Sequence, residues 1–113
     1  MSYNPREAYR SVRLNKGHLV ARIKNITQSK WTKVCENLGL FVSKEYGKGG
    51  HYSVYRSKEC SPEYTNDSSC LVLTIQKDQY PEIQRDNVKK IVAYGAYSKL
   101  YTEEDVWKAL GIQ

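Results

Sequence analysis

The spacing of apolar residues changes twice along this chain, and that change constrains its fold more than any other feature. Trp31, Val34, Cys35 and Leu38 recur at i, i+3, i+4 and i+7, the stripe of a helix with one buried side. Thr27 supplies an N-cap before that stripe and Gly39 a stop after it. From Phe41 the repeat shortens to two, which predicts strands over 41–46, 51–56 and 70–76. Glycines 47, 49 and 50 make the first turn, and a longer connection over 57–69 carries Pro62 and the polar run NDSS. After Pro81 the helical spacing returns in Val88, Ile91 and Val92, with Gly95 as its predicted end. Thr102 and Asp105 then form a T-x-x-D capping pattern ahead of Val106, Trp107 and Leu110. The order is helix, three antiparallel strands, helix, short helix. It predicts an α+β fold of two layers, with both longer helices on one face of the sheet and the other face open to a ligand.

The segment ahead of this pattern is set apart by charge. Residues 1–33 hold eight Lys or Arg and one acid, Glu7, a balance of +7; the other eighty residues hold ten basic and eleven acidic side chains, a balance of −1. The whole excess of positive charge therefore lies in the first third. Such a segment meets phosphate favourably, because each neutralised phosphate releases condensed counterions; otherwise it is a solvated arm. Asn4-Pro5 predicts a helix start, with Tyr9 and Val12 on one side and Gly17 as the end. Residues 18–24 read as a short strand or an extended connection. The division expected is a basic extension over 1–25 and a folded domain over 26–113.

Several classes are excluded. No apolar run approaches the roughly 20 residues that cross a bilayer, and no apolar stretch follows the basic start as in a secretory signal. A cytoplasmic protein with no membrane association is expected. The three cysteines, Cys35, Cys60 and Cys70, include no CxxC pair. Cys60 and Cys70 either face each other across a hairpin or stand as free thiols, and the sequence favours free thiols. The histidines are not at metal-ligand spacing, so neither metal nor cofactor is expected. Ten tyrosines against one phenylalanine suit both a small core and a wet binding surface.

Histidine is the residue type suited to moving protons near neutral pH, and the chain has two, His18 and His51. His18 has no local partner and reads as structural or solvent-facing. His51 follows Gly49-Gly50, which permit close approach of a ligand, and alternation puts it on one strand face with Ser53 and Tyr55. It is either a catalytic group or a polar residue closing a turn. Tyr55 either packs or stacks on a base. Glu103, Glu104 and Asp105 open a helix, where the helix dipole accounts for them. No phosphate-binding glycine fingerprint and no Ser/His/Asp order is present.

Five segments in sequence resemble the HicA family of toxin–antitoxin ribonucleases (mRNA interferases) from about Thr27 to Leu110. TQSKWTKVCENLGLF is similar to the family's opening helix, KGGHYSVYR to its lysine-glycine turn, catalytic histidine and strand, and CLVLTI to its third strand. PEIQRDNVKKIVAYG resembles the family's E-L-x-x-x-T-L-x-x-I-L helix and YTEEDVWKAL its closing helix. The chain departs from the family at Gly50-His51-Tyr52, where Ser-His or His-His is common, and at Gln76-Lys77-Asp78, where a Pro-x-His-like stretch is common. The resemblance implies a fold like the double-stranded-RNA-binding domain, α-β-β-β-α. It further implies an endoribonuclease that cleaves mRNA and inhibits translation, and a HicB-like antitoxin that covers the active site. On this reading His51 takes the ribose 2′-hydroxyl proton. Lys48 and the amides of Gly49 and Gly50 steady the phosphate, Tyr55 contacts RNA, and Lys89 and Lys90 hold the strand. The alternative is a non-catalytic RNA-binding module of the same fold.

Overall fold

Asn4 opens the first helix as its sequence predicts: its Oδ1 accepts the Glu7 N–H at 3.1 Å, with proline at the first helical position. In this computed structural model, which describes residues 3–24, 26–45, 49–78 and 80–112, α1 spans Pro5–Ser11 and ends well before Gly17. Residues Gly17–Arg22 then form a 3₁₀ helix, not a strand. Val20 and Ile23, three apart, both pack against the core while Leu19 is buried in it, the one-sided pattern that a three-residue turn produces. The segment set apart by its charge is thus bound into the fold, with Tyr3 and Leu19 in the core and Ala8, Val12 and Leu14 packed against it.

Thr27 Oγ1 accepts the Lys30 N–H at 3.1 Å and starts α2, Gln28–Asn37, whose Trp31, Val34 and Cys35 are buried. Three short strands follow, β1 (Phe41–Ser43), β2 (Tyr52–Tyr55) and β3 (Leu71–Ile75), antiparallel in the order β1-β2-β3. Each is shorter than the alternating pattern predicted, and His51, Arg56, Cys70 and Gln76 flank the strands instead of joining them. The register sets Val42 opposite Val54 and Ser43 opposite Ser53, then Ser53 opposite Thr74 and Val54 opposite Leu73, with a bulge between Val54 and Tyr55. α3 (Pro81–Ser98) and α4 (Glu103–Leu110) complete a mixed α+β fold. Val54 and Ile75 from the sheet, Trp31 from α2, Val88 and Ile91 from α3 and Val106 from α4 are all fully buried in one core.

Gly95 does not end α3, which continues for three more residues and stops at Lys99 in the left-handed region (φ 63°). A Cβ on Gly95 would lie 2.5 Å from Tyr101 Cε1 and 2.8 Å from the Tyr101 carbonyl oxygen. The glycine is there because the chain returning from α3 crosses against its backbone. Tyr101 is fixed in that crossing by its hydroxyl, which donates to the Ile91 carbonyl at 2.6 Å. The T-x-x-D pattern forms a full capping box at α4, as predicted. Its neighbour Glu103 does more than complement a dipole, accepting the backbone N–H groups of Asn15 and Lys16 and the Trp107 indole N–H.

Two further expectations are corrected. Cys60 and Cys70 are joined by a disulfide, their Cα atoms 5.3 Å apart. The 57–69 connection folds back on itself: Ser61 Oγ donates to the Lys58 carbonyl and the Arg56 N–H to the Cys70 carbonyl. That brings two thiols ten residues apart into reach of each other. The face of the sheet away from α2 and α3 is also less open than expected, since Ser43, Ser53 and Tyr55 are all buried. No helix among the described residues is long and apolar enough to cross a membrane.

Candidate nucleic-acid interface

The β1–β2 turn and the end of β3 meet at one corner, and His51 stands in it. The Lys77 backbone N–H donates to His51 Nδ1 at 2.9 Å. Gln28, at the start of α2, donates from Nε2 to the carbonyls of Gly50 (2.8 Å) and Ile75 (3.2 Å), so the same corner is tied to the helix layer. Gly50 is left-handed (φ 83°), and a Cβ there would press on the Lys77 side chain at 3.3 Å; glycine lets the turn close down on that lysine. Gly49 and Gly50 are exposed and His51 is half-buried. Lys48 lies outside the described residues.

The Lys77 bond decides what the ring can offer. A nitrogen that accepts an N–H carries no hydrogen of its own, so the neutral imidazole holds its proton on Nε2. As bonded, His51 presents an N–H donor. To take a proton at Nε2 the ring must first carry its hydrogen on Nδ1, where the Lys77 N–H already points. Among the described residues Nε2 has no protein partner.

From this corner three neighbouring pockets form a trough along residues 12–24 and 26–28 and the start of α3. Its largest section, about 770 Å³, is lined by Lys24, Thr27, Gln28, Lys77, Asp78 and Tyr80 among others. A second section shares the walls Ile23, Lys24, Pro81 and Gln84 and adds Glu82 and Arg85. A third section, of about 560 Å³, shares Val20, Ala21 and Arg85 with it and adds Arg13, His18 and Lys89. The trough is thus lined by Arg13, Lys24, Lys77, Arg85 and Lys89, with Asp78 and Glu82 as its acids. α1 is clamped beside it. The Tyr9 hydroxyl donates to Asp86 at 2.6 Å, which raises the phenol's pKa, and Lys89 Nζ lies 4.3 Å from the Tyr9 ring centre.

The residues singled out in the sequence divide accordingly. Gly49, Gly50 and His51 share the corner with Lys77. Lys89 lies at the far end of the trough, while Lys90 lines a separate groove between α1 and β3 with Arg6 and Tyr9. Tyr55 is not available for stacking: it is only 8% exposed, and it lines a small pocket under the 57–69 connection with Cys60, Ser61 and Cys70. Gln28, Lys77, Arg85 and Tyr80 were not among the site residues expected from the sequence. Arg85 was legible as the i−4 neighbour of Lys89 on the outward side of α3. Gln28 and Lys77 had no sequence signal, because their roles depend on where β3 ends relative to α2. Among the described residues no group of His, Cys, Asp or Glu is placed to hold a metal ion. Comparison with known proteins finds no family model, no curated protein and no solved structure that matches this chain.

Proposed function

We propose that this protein binds RNA along the trough, with His51 contacting a phosphate at the Lys77 end. The observation that carries this is the convergence of Arg13, Lys24, Lys77, Arg85 and Lys89 on one concave path against two carboxylates. A polyanion laid there releases counterions at each contact. At the corner, a neutral imidazole donating from Nε2 suits a phosphoryl oxygen. The order α2-β1-β2-β3-α3 supports a fold of the double-stranded-RNA-binding type, and with it the resemblance drawn from the sequence.

The endoribonuclease activity that the resemblance implies would act at the same corner, the ribose 2′-oxygen attacking the adjacent phosphorus and expelling the 5′-oxygen. It asks one change of the geometry: His51 must give up its bond to Lys77 before Nε2 can accept the 2′-hydroxyl proton. The bonded ring therefore favours binding over cleavage. A HicB-like antitoxin would act by covering these cations with an acidic surface. Messenger RNA would be met in the cytosol, where thiol reductants work against the Cys60–Cys70 bond; no residue of that loop lines the trough.

The test is RNA affinity across a salt series for the wild type and for Lys24→Ala combined with Arg85→Ala. Two lost phosphate contacts lower the slope of log affinity against log salt by about two. An unchanged slope and affinity in the folded double variant would remove the proposal. The same samples, incubated and resolved by size, decide the chemistry. Cleavage by wild type and not by His51→Ala assigns His51 a catalytic role; binding without cleavage leaves a recognition module.

A further inference from the structure

We infer that the trough takes RNA as a single strand and that Tyr80 stacks on one of its bases. This rests on the RNA-binding reading and names the form of RNA that the site selects. The exposed large apolar side chains among the described residues are Tyr64, Tyr80, Tyr97 and Leu100. Tyr64 lies in the 57–69 connection, and Tyr97 packs on Tyr3 with the Arg56 guanidinium 5.6 Å from its ring centre. Tyr80, 59% exposed, is the one that lines the trough.

Its backbone is fixed even though its ring is open. Tyr80 is the N-cap residue of α3; its carbonyl accepts the Gln84 N–H at 3.0 Å and Pro81 follows it. A tyrosine ring has few torsions to lose, so an anchored one stacks at low entropic cost. The groups around it are those that nucleotide recognition uses. Lys24 and Lys77 line the same section and suit the phosphates on either side of a stacked base. Gln28 lines it too; its amide nitrogen is engaged by Gly50 and Ile75, and its amide oxygen, with no partner among the described residues, can accept from a base amino group. Paired bases in an A-form duplex are already stacked on one another and offer no face to a ring at the side. An unpaired base does. The aromatic beside Lys24 and Lys77 therefore favours a single strand over the duplex that the fold analogy alone would suggest.

The experiment measures binding of a short unstructured oligoribonucleotide and of a self-complementary duplex of equal length, each by fluorescence anisotropy. Wild type, Tyr80→Ala and Tyr80→Phe are compared, with circular dichroism to show that the exposed substitution leaves the fold unchanged. The expected result is roughly tenfold weaker binding of the single strand by Tyr80→Ala, near wild-type binding by Tyr80→Phe, and no change for the duplex. Equal single-strand affinity of Tyr80→Ala and wild type, or a preference of wild type for the duplex, overturns the inference while leaving RNA binding in place. Wild type that binds neither form in a salt-dependent way overturns the RNA-binding reading itself.

Discussion

The two faces of the sheet are closed in different ways. Over one, α2, α3 and α4 bring Trp31, Val88, Ile91 and Val106 against Val54 and Ile75 in continuous apolar contact. On the other, Ser53 and Tyr55 are buried too; the 57–69 connection folds in under Tyr55 and is held by turn hydrogen bonds and the Cys60–Cys70 disulfide. Packing that interdigitates over many side chains fails at any point where volume is added. A cover held by one covalent link fails when that link is removed. The two faces should therefore respond to different perturbations.

The largest effect is expected at Gly95, on the helix-covered side. An alanine methyl there must occupy space 2.5 Å and 2.6 Å from two ring carbons of Tyr101 and 2.8 Å from its carbonyl oxygen. Tyr101 is buried and hydrogen-bonded to Ile91, so it has nowhere to swing. Gly95→Ala should cost about 3 kcal/mol in urea unfolding, near the top of the range for overpacking. Shortening Tyr101 to alanine in the same chain should cost less than it does alone, because the two positions are coupled through one contact. A Gly95→Ala variant as stable as the wild type would mean that the helix layer yields, and the contrast between the faces would be lost.

On the loop-covered side the corresponding change is Cys60→Ser with Cys70→Ser. For a bond closing ten residues of chain, chain entropy gives a loss of about 2–3 kcal/mol. Protease should then cut at Lys58, which is exposed, faster than in the intact protein. Amide exchange in the middle of α3 should change only with global stability, while the amides of 57–69 lose protection beyond that. Extra exchange in α3 equal to that in the loop would show that the two covers are one cooperative unit.

The same contrast decides what could be read from the sequence. The helix-covered side was legible because periodicity records burial: Trp31, Val34, Cys35 and Leu38 were placed by spacing alone, as were Val88, Ile91 and Val92. Capping chemistry is local, so Asn4, Thr27 and Thr102 were legible too. The loop-covered side was not, since 57–69 has no period and its pairing of Cys60 with Cys70 follows from a fold-back that composition does not encode. Gly95 misled because a glycine near a helix end usually terminates it, and only the path of Tyr101 shows otherwise. At the site, His51 and its glycines were visible as a motif. Their partners Lys77 and Gln28 come from the ends of distant elements, and the trough is a surface that three separate segments assemble. For Tyr55 the sequence left packing and stacking open, and its burial under the 57–69 connection fits packing.

The smallest expected effect, and the one that separates the faces most finely, is in the pH profile of stability. On the alkaline side the groups shifted by burial belong to the helix layer and its edge: Cys35 is pushed from 9.0 and Tyr3 from 10.0 up to about 12 each, and Tyr101 is raised as well. Groups whose folded values are raised contribute stability that is whole below their unfolded values. It is lost as pH climbs from about 9 toward 12, when the unfolded chain ionises and the folded one resists. On the acid side each cover has a carboxylate held below its ordinary value. Asp67 in the loop accepts the Ser69 N–H, and Asp105 beside α4 accepts the Thr102 N–H. Lowered values reverse the sign: their contribution is whole above the usual 3.8 and falls away as pH drops through the lower folded values. Both carboxylates are exposed and screened by solvent, so the acid limb should be shallow and should flatten further in salt. Asp67→Asn should remove the part of that limb seen by loop exchange, and Asp105→Asn the part seen at α4. The alkaline limb should stay the same in both variants and move with Tyr3→Phe. An Asp67→Asn protein whose alkaline limb shifted as well would show that the loop and the helix layer unfold together, and that the two faces differ in how they are built but not in how they fail.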